Sequence, residues 1–333
     1  MRALLGACAL CLACGHAAGP CVPGGTPSQP YPTLAEWCLD SATPYDLNTP
    51  LFSDGAVKQR SMLLPAGKPA AYQATSALDF PQGTILIKRF GFRDDLRKPQ
   101  PLVRWIETRL LVRQDDGLWH GYAYVWDAAQ KGAALSQGGE VQSISWLDET
   151  GATVTANYLV PSATQCRECH DASGVTLPLG PKARNLNKGD QLARLSSAGL
   201  LSGLPSSGVP RMPVWNDPAT GSLDERARAY LEVNCAHCHS TEGAARTTGL
   251  LLPASETIPA HYGVCKSPVA AGEATGGFSW DVVPGDPDHS ILSYRLAATK
   301  SSIAMPLIGR SVVDKEGLAL VRQWIAGLPG SCP

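Results

Sequence analysis

Two C-x-x-C-H motifs constrain this chain of 333 residues more than any other feature. The first motif consists of Cys166, Cys169 and His170, and the second consists of Cys235, Cys238 and His239. Two thiols one helical turn apart can add to two vinyl groups of a porphyrin, and the histidine that follows can ligate its iron. The two motifs therefore predict two covalently attached haem c groups, with His170 and His239 as iron ligands.

Paired cysteines also suit two other kinds of site. Two C-x-x-C pairs can together bind zinc, although a histidine directly after each pair favours haem. A thioredoxin-like redox motif is expected within a βαβ pattern, and the sequence around these pairs shows no such pattern. Haem attachment remains the leading interpretation, with zinc as the alternative.

The second axial ligand of the iron is sought among the few methionines. Met305 lies in a Ser-Ile-Ala-Met-Pro loop before the last predicted helix, where an extended loop can bring its thioether to the second haem. Met212, in Pro-Arg-Met-Pro, is the corresponding prediction for the first haem. A methionine ligand would raise the reduction potential of either iron.

Other side chains are weaker predictions for the first haem. The alternatives to Met212 are His261, His120 and Met62, or an iron with an open sixth position. His289 is expected to face solvent. His237 lies inside the second motif, where its position is expected to hinder ligation.

The N-terminal segment predicts export. One arginine precedes an apolar run at residues 3–14, which is too short to span a bilayer, so residues 1–18 are interpreted as a signal peptide. The sequence around Cys14 resembles a lipoprotein signal, which leaves secretion and attachment to a membrane through a lipidated Cys14 as alternatives. The expected location is the periplasm or the outer face of a membrane.

The remaining cysteines predict disulfides. Outside the signal segment and the two motifs the chain has Cys21, Cys38, Cys265 and Cys332. An even number of cysteines in an oxidising compartment favours two disulfides. Proximity along the chain favours pairing Cys21 with Cys38 and Cys265 with Cys332.

Residues 40–160 are predicted to form an antiparallel β-sandwich domain. The segment at residues 105–112 alternates, and the face that carries Ile106, Thr108, Leu110 and Val112 is expected to be buried. Downstream, a haem-binding segment at residues 161–221 and a cytochrome c-like domain at residues 222–333 are predicted to be mostly α-helical. The expected fold class is multidomain α+β.

Local signals mark the starts of the predicted helices. Ser162 with Gln165, and Ser222 with Glu225, fit capping boxes that begin the helices leading into the two motifs. Asp286 before a proline marks a third helix start. A last helix is predicted at about residues 313–328, crossing the helix that begins near residue 223.

Charge excludes one class of partner. The net charge is −1 and only 17% of the residues are charged, with no basic run that could neutralise a row of phosphates. Nucleic acid is therefore not expected as a partner. Ser-His-Asp, phosphate-cradling and dinucleotide-binding motifs are not found in the sequence.

Five segments carry a resemblance to a known family. They are LNTPLFSDGAVKQR at residues 47–60, GPKARNLN at 180–187, RARAYLEVNCAHCH at 226–239, CKSPVAAG at 265–272 and VPGDPD at 283–288. In these segments the chain resembles exported bacterial dihaem c-type cytochromes with a β-rich N-terminal domain and a cytochrome c-like C-terminal half. The resemblance implies haem binding and electron transfer, and it implies no substrate.

Three functions follow as expectations. The first is an electron carrier between redox partner proteins, a dehydrogenase and a terminal acceptor. The second is a dihaem peroxidase with one open haem, for which Glu168 and His120 would be the acid-base helpers. The third is a redox module whose β domain binds a glycan or a protein through an aromatic platform of Trp105, Trp119, Tyr122 and Trp126.

Overall fold

The computed structural model describes residues 27–269 and 271–333. The predicted signal peptide, Cys14 and Cys21 lie outside the described residues. Within the described ranges, no helix combines the length and the apolar composition needed to cross a bilayer.

The β structure is concentrated before residue 161. The strands are β1 (Thr43–Pro44), β2 (Val57–Leu63), β3 (Ala70–Ala71), β4 (Ile85–Arg93), β5 (Val103–Arg113), β6 (Trp119–Trp126), β7 (Ala133–Ser136), β8 (Glu140–Leu147), β9 (Thr153–Val160), β10 (Asp171–Ala172), β11 (Val175–Thr176) and β12 (Leu201–Ser202). Six of them form an antiparallel sheet in the order β1-β2-β4-β5-β6-β7, and β8 pairs with β9 in a separate hairpin.

Helices are short and lie mainly after residue 161. The α-helices are α1 (Ala163–His170), α2 (Ala183–Leu186), α3 (Gln191–Ser197), α4 (Leu223–Cys235), α5 (Ile291–Ala297) and α6 (Lys315–Ala326). Single 3₁₀ turns occur at Leu34–Trp37, Leu39–Ser41, Pro218–Thr220, Arg246–Thr248 and Gly272–Thr275.

The predicted fold class is wrong in its C-terminal part. Among the described residues only α4 and α6 exceed eight residues, and long loops connect the helices, so the chain is a mixed, β-rich fold and not a sandwich followed by mostly helical domains. Glycine follows α3 and α6 within two residues, which suits a helix end because glycine is unfavourable in a helix interior. The N-terminal part is likewise one large sheet with a two-stranded hairpin, and not two full sheets.

Individual helix predictions had different outcomes. The capping boxes at Ser162 and Ser222 are confirmed, since each serine accepts a hydrogen bond from the backbone three residues later. The predicted helix start at Asp286 is wrong, because this carboxylate instead accepts the backbone N–H groups of Asp288 and His289 in a turn. Helix α5 begins at Ile291.

The last two long helices pack as predicted. Ala227 and Tyr230 of α4 share one buried cluster with Val321 and Trp324 of α6. The Trp324 indole N–H also donates to the Asp224 carboxylate at 2.7 Å. The cluster around α4 and α6 is therefore the apolar core of the C-terminal part.

The large sheet is covered on both faces. Ile106, Thr108, Leu110 and Val112 on β5 are buried as predicted, with at most 1% of each residue exposed. They do not share one face, because a register shift beside Ile106 places its side chain in a cluster on the opposite side of the sheet. Leu110 and Val112 pack with Trp37 and Tyr124 on one side of the sheet. The opposite side is divided between two further clusters, one containing Phe90, Ile106 and Tyr158, the other Met62, Leu86 and Leu186.

One predicted disulfide is confirmed. Cys265 and Cys332 are bonded, with their Cα atoms 5.2 Å apart. Cys38 is disulfide-bonded as well, while its predicted partner Cys21 lies outside the described residues.

Candidate haem-binding site

The first motif lies on α1, directly over the sheet. The capping box at Ser162 starts this helix, and a Cβ added to Gly121 of β6 would lie 3.1 Å from the Cβ of Cys166. Only glycine at this position allows the helix to approach so closely. The sequence therefore positions the two thiols of the first motif against the sheet.

His170 has the hydrogen bond expected of an iron ligand. Its Nδ1 donates to the Leu177 carbonyl at 2.7 Å, which leaves the Nε2 lone pair free. Burial lowers the pKa of His170 to about 4, although part of the ring surface faces a cavity. The imidazole is therefore neutral at pH 7, the form that binds a metal.

The second motif follows the core helix α4. Cys235 is the last residue of α4, and the backbone N–H groups of Cys238 and His239 both donate to its carbonyl. Burial, followed by the charge of Arg295, lowers the pKa of His239 to about 4. The Leu250 backbone lies beside this ring and partly opposes the lowering of its pKa. The Nδ1 atom has no hydrogen-bond partner of ordinary geometry among the described residues.

The two motifs lie against each other. The Sγ of Cys238 is 4.0 Å from the Glu168 carbonyl oxygen, which belongs to the first motif. Just beyond the motifs, the Ser173 N–H donates to the Glu242 carbonyl at 3.2 Å. Two sites that are far apart in sequence are thus joined by direct contacts.

A cavity of about 720 Å³ lies beside the first motif. Its wall includes Cys166, Cys169 and His170 of the first motif, His237 of the second, and Pro306 in the loop after Met305. This volume lies within the range of about 300–1,000 Å³ that is usual for ligand and cofactor sites. The cavity therefore contains the predicted position of the first haem, whereas Cys235, Cys238, His239 and Met305 are not on its wall.

The residues present fit haem c. All four motif cysteines are free thiols, while Cys38, Cys265 and Cys332 are disulfide-bonded. Burial raises the pKa of Cys235 to about 12 and that of Cys238 to about 11, so both are neutral thiols at pH 7. The described residues contain no group of three or more His, Cys, Asp or Glu side chains arranged to hold a metal ion, so the zinc alternative gains no support.

Met212 lies at the first site. It is 4% exposed, and it lines the cavity together with His170. Its backbone N–H donates to the Arg184 carbonyl at 2.8 Å, which fixes the loop between the prolines. This position is compatible with the predicted role as a ligand of the first haem.

Met305 lies in a loop that is held by two arginines. Its N–H donates to the Arg295 carbonyl at 3.1 Å, and the Arg310 Nε donates to its carbonyl at 2.9 Å. The charge of Arg295 acts on His239, and the charge of Arg310 acts on Cys235. The Met305 backbone and the second motif therefore meet around the same two arginines.

The other predicted ligands lie elsewhere, with one exception. Met62 is buried in the apolar cluster behind β2, and the surface histidines His120, His261 and His289 pair with Asp116, Glu256 and Asp286. The exception is His237, whose ring lines the cavity near His170 with a buried Nδ1 that has no partner among the described residues. That its place in the second motif hinders ligation stays a prediction.

Sequence patterns did not identify the loop at residues 47–56 as part of the site. The Asn234 side chain of α4 accepts the Phe52 N–H at 2.8 Å. The buried Asp54 carboxylate accepts the N–H groups of Ser311 at 2.6 Å and Val312 at 3.0 Å. The loop thereby connects the N-terminal sheet to the segment after Met305, and only the stated resemblance had drawn attention to these residues.

The alternative functions lose their proposed side chains. Glu168 is exposed and His120 bonds Asp116 at the surface, and neither of these described residues lines the cavity. The four aromatic residues do not form one platform, because Trp119 packs on Phe80 while Tyr122 and Trp126 belong to a cluster on the opposite face. Trp105 and Trp126 instead flank Arg89.

Comparison with known proteins identifies no relative. The chain matches no protein-family model, no curated protein and no solved structure. The functional argument therefore depends on the site itself.

Proposed function

We propose that this chain is a dihaem c-type cytochrome that transfers single electrons. The contact between the two motifs, with the Cys238 Sγ 4.0 Å from the Glu168 carbonyl, is the observation that carries the proposal. An electron carrier with two centres needs those centres close together, and a pair of unrelated cysteine motifs does not. An electron carrier is preferred to a peroxidase, because neither of the proposed acid-base helpers, Glu168 and His120, lines the cavity.

Each motif residue has a defined role in this proposal. Cys166 and Cys169, and Cys235 and Cys238, attach haem c, while His170 and His239 ligate the irons through neutral imidazoles. Met305 and Met212 are the proposed second ligands of the second and first iron. When bound, haem c supplies an iron that exchanges one electron at a potential set by its ligands and surroundings.

The protein tunes both sites through burial and hydrogen bonding. The Leu177 carbonyl orients His170, and the hydrogen bonds of Arg295 and Arg310 hold the backbone at Met305. A thioether ligand favours the reduced state of a haem iron.

The proposed partners are redox proteins, a dehydrogenase that delivers electrons and an acceptor that removes them. The exposed side of α1, at Arg167 and Glu168, brings the first motif within reach of such a partner. The proposed location is the periplasm or the outer face of a membrane, with attachment through a lipidated Cys14 as one form.

Haem stoichiometry tests the proposal. The chain is produced with a c-type haem maturation system, and its intact mass and a pyridine haemochrome spectrum are measured. Two covalent haems are expected in the native chain, one in Cys166→Ala/Cys169→Ala and one in Cys235→Ala/Cys238→Ala. The matched control, Cys265→Ala/Cys332→Ala, also loses two cysteines and should retain both haems. Bound zinc without haem in the native chain would overturn the proposal.

A further inference from the structure

Three positively charged side chains form a row across the sheet beneath the first motif. Arg60 of β2 is paired directly with Lys88 of β4, and Lys88 is paired directly with Arg109 of β5. Directly paired residues of neighbouring antiparallel strands project from the same face. Like charges in such pairs repel one another, so the row is unfavourable unless negative charge lies beside it.

The described carboxylates neutralise this row only in part. Glu107 is fully buried and binds Arg109, with an N–O distance of 2.5 Å, and it also accepts from the Tyr158 hydroxyl. Asp46 is 3.4 Å from Arg60, but it is also bound by Lys188. These two carboxylates face four cations, which are Arg60, Lys88, Arg109 and Lys188.

Two members of the row have unused capacity to bind an anion. Arg60 is 8% exposed, and its Nη2 has no hydrogen-bond partner among the described residues. Lys88 forms no ion pair with any described carboxylate, and its amino group lies 4.8 Å from the Phe90 ring centre. Burial, followed by the charges of Arg60, Lys58 and Arg109, lowers the pKa of Lys88 well below its usual value.

The row faces the candidate haem site. Arg60, Lys88 and Arg109 all line the cavity that contains Cys166 and His170. Of the other cations at the cavity wall, Arg113 pairs with Asp79, Lys182 pairs with Glu232, and Arg310 donates to backbone carbonyls such as that of Met305.

We infer that Arg60 and Lys88, supported by Arg109, form a carboxylate-binding site for the two propionate groups of the haem attached to Cys166 and Cys169. The inference rests on the proposed function, because it requires haem at the first motif. It also assigns the sheet a task, which is to supply the positive charge for the first haem. The same chemistry would bind a small free anion, and the experiment separates these two sources.

The experiment is a potentiometric titration of the holoprotein and of Lys88→Met. Loss of a nearby positive charge stabilises the oxidised iron, so the first haem's potential should fall by about 59 mV, a tenfold change in the ratio of reduced to oxidised iron. Arg60→Met should also lower the potential of the first haem. Lys88→Arg keeps the positive charge and should have the native potential. The matched control is Arg89→Met, the next residue of β4, whose side chain stacks on Trp105 and Trp126 and not in the cavity.

Two further readouts decide the source of the carboxylates. Resonance Raman spectra of the holoprotein should show a shifted propionate bending band in Lys88→Met and an unchanged band in Arg89→Met. Added succinate or phosphate should leave the native potential unchanged if propionates fill the site. A potential that responds to these anions, together with an unshifted propionate band, would overturn the inference in favour of a free anion site.

Failure of the inference is distinguishable from failure of the proposed function. Intact mass counts the haems in every variant before titration. Two haems with potentials that are unchanged in both Lys88→Met and Arg60→Met would overturn the propionate site and leave the cytochrome proposal standing. A native chain without haem at Cys166 and Cys169 would overturn both.

Discussion

The two C-x-x-C-H motifs differ in how the rest of the protein supports them. The first lies on α1, and none of the eight described residues of this helix is buried. The second ends α4, where Ala227, Leu231, Cys235 and five more of its 13 residues are buried. The second site is therefore supported by an apolar core that forms without haem. The first site depends on the sheet below it and on the group that occupies the cavity.

This difference indicates two kinds of preorganisation. Around α4 the buried apolar surface of Leu231, Val321 and Ile325 stabilises the helix that carries the cysteines. Under α1 the sheet instead presents charged side chains, which contribute favourably only when they are neutralised. We expect the first site to gain more stability from haem than the second.

The largest expected effect contrasts the two proposed methionine ligands. Met305→Ala should lower the potential of the second haem by roughly 0.1–0.3 V, because the axial ligand strongly influences the reduction potential of a haem. The variant should also lose the charge-transfer band between sulfur and ferric iron. Met212→Ala should act in the same way on the first haem alone. Spectroelectrochemistry of both variants checks this. If Met212→Ala leaves the first haem unchanged, the ligand is another side chain, and His237→Ala is the variant to measure next.

A second prediction concerns the ionic link between the two regions. Lys182 is the residue before α2, and Arg184 lies within α2. Both form ion pairs with the buried Glu232 of α4. Burial opposes ionisation of Glu232, but the two cations outweigh it and lower the pKa of the carboxyl. Glu232→Gln should destabilise the protein by about 3 kcal/mol at pH 7, because it leaves buried positive charge unpaired.

The pH dependence of this effect follows from the lowered pKa of Glu232. A depressed folded pKa contributes stability above the unfolded value of about 4.3, and this contribution is lost as the pH falls through the folded value. Urea denaturation should therefore show a difference between Glu232→Gln and the native chain at pH 7 that shrinks below about pH 4. The exposed Glu316→Gln is the control, and a pH-independent difference would contradict the assignment.

A third prediction concerns the loop at residues 47–56. Asp54 has a positive φ of 51°, so Asp54→Gly removes the carboxylate without backbone strain. Loss of the hydrogen bonds to Ser311 and Val312 should cost about 2 kcal/mol and weaken the charge-transfer band of the second haem only. Asp54→Asn retains an acceptor oxygen and should retain most of the band. An equal effect on both haems would show that the loop does not act through Met305.

The smallest expected effect compares the two capping boxes. Ser162→Ala and Ser222→Ala remove equivalent caps, each worth about 1 kcal/mol. In α4 the loss should appear in global unfolding, because the helix belongs to the core. In α1 it should appear mainly as faster hydrogen exchange at residues 163–170. If hydrogen exchange in Ser162→Ala were equally slow in α1 and α4, the proposed difference between the two sites would be contradicted.

Local features of the site could be predicted from the sequence, and long-range ones could not. The capping boxes at Ser162 and Ser222 depend on four consecutive residues, and the Cys265–Cys332 bond follows from a short inventory of cysteines. The third helix start failed because a turn at Asp286 competes for the same signal.

Other parts of the site needed strand register and packing. Arg60, Lys88 and Arg109 are separated by about 20 or more residues each, and only the pairing of β2, β4 and β5 brings them into one row. The position of His237 depends on how α1 packs against the end of α4. Neither relation has a signature in local sequence.

The order in which the sheet and the first motif occur in the chain has a consequence for biogenesis. Strands β2 and β4–β6, which supply the floor beneath Cys166, end at Trp126 and therefore precede the first motif. Because a chain is synthesised and threaded from its N-terminus, this floor can form while the motif is still emerging. The second site needs partners from Phe52 to Cys332, so it closes only when the whole chain has been delivered. Maturation should consequently proceed in one direction, with the first centre assembled before the second.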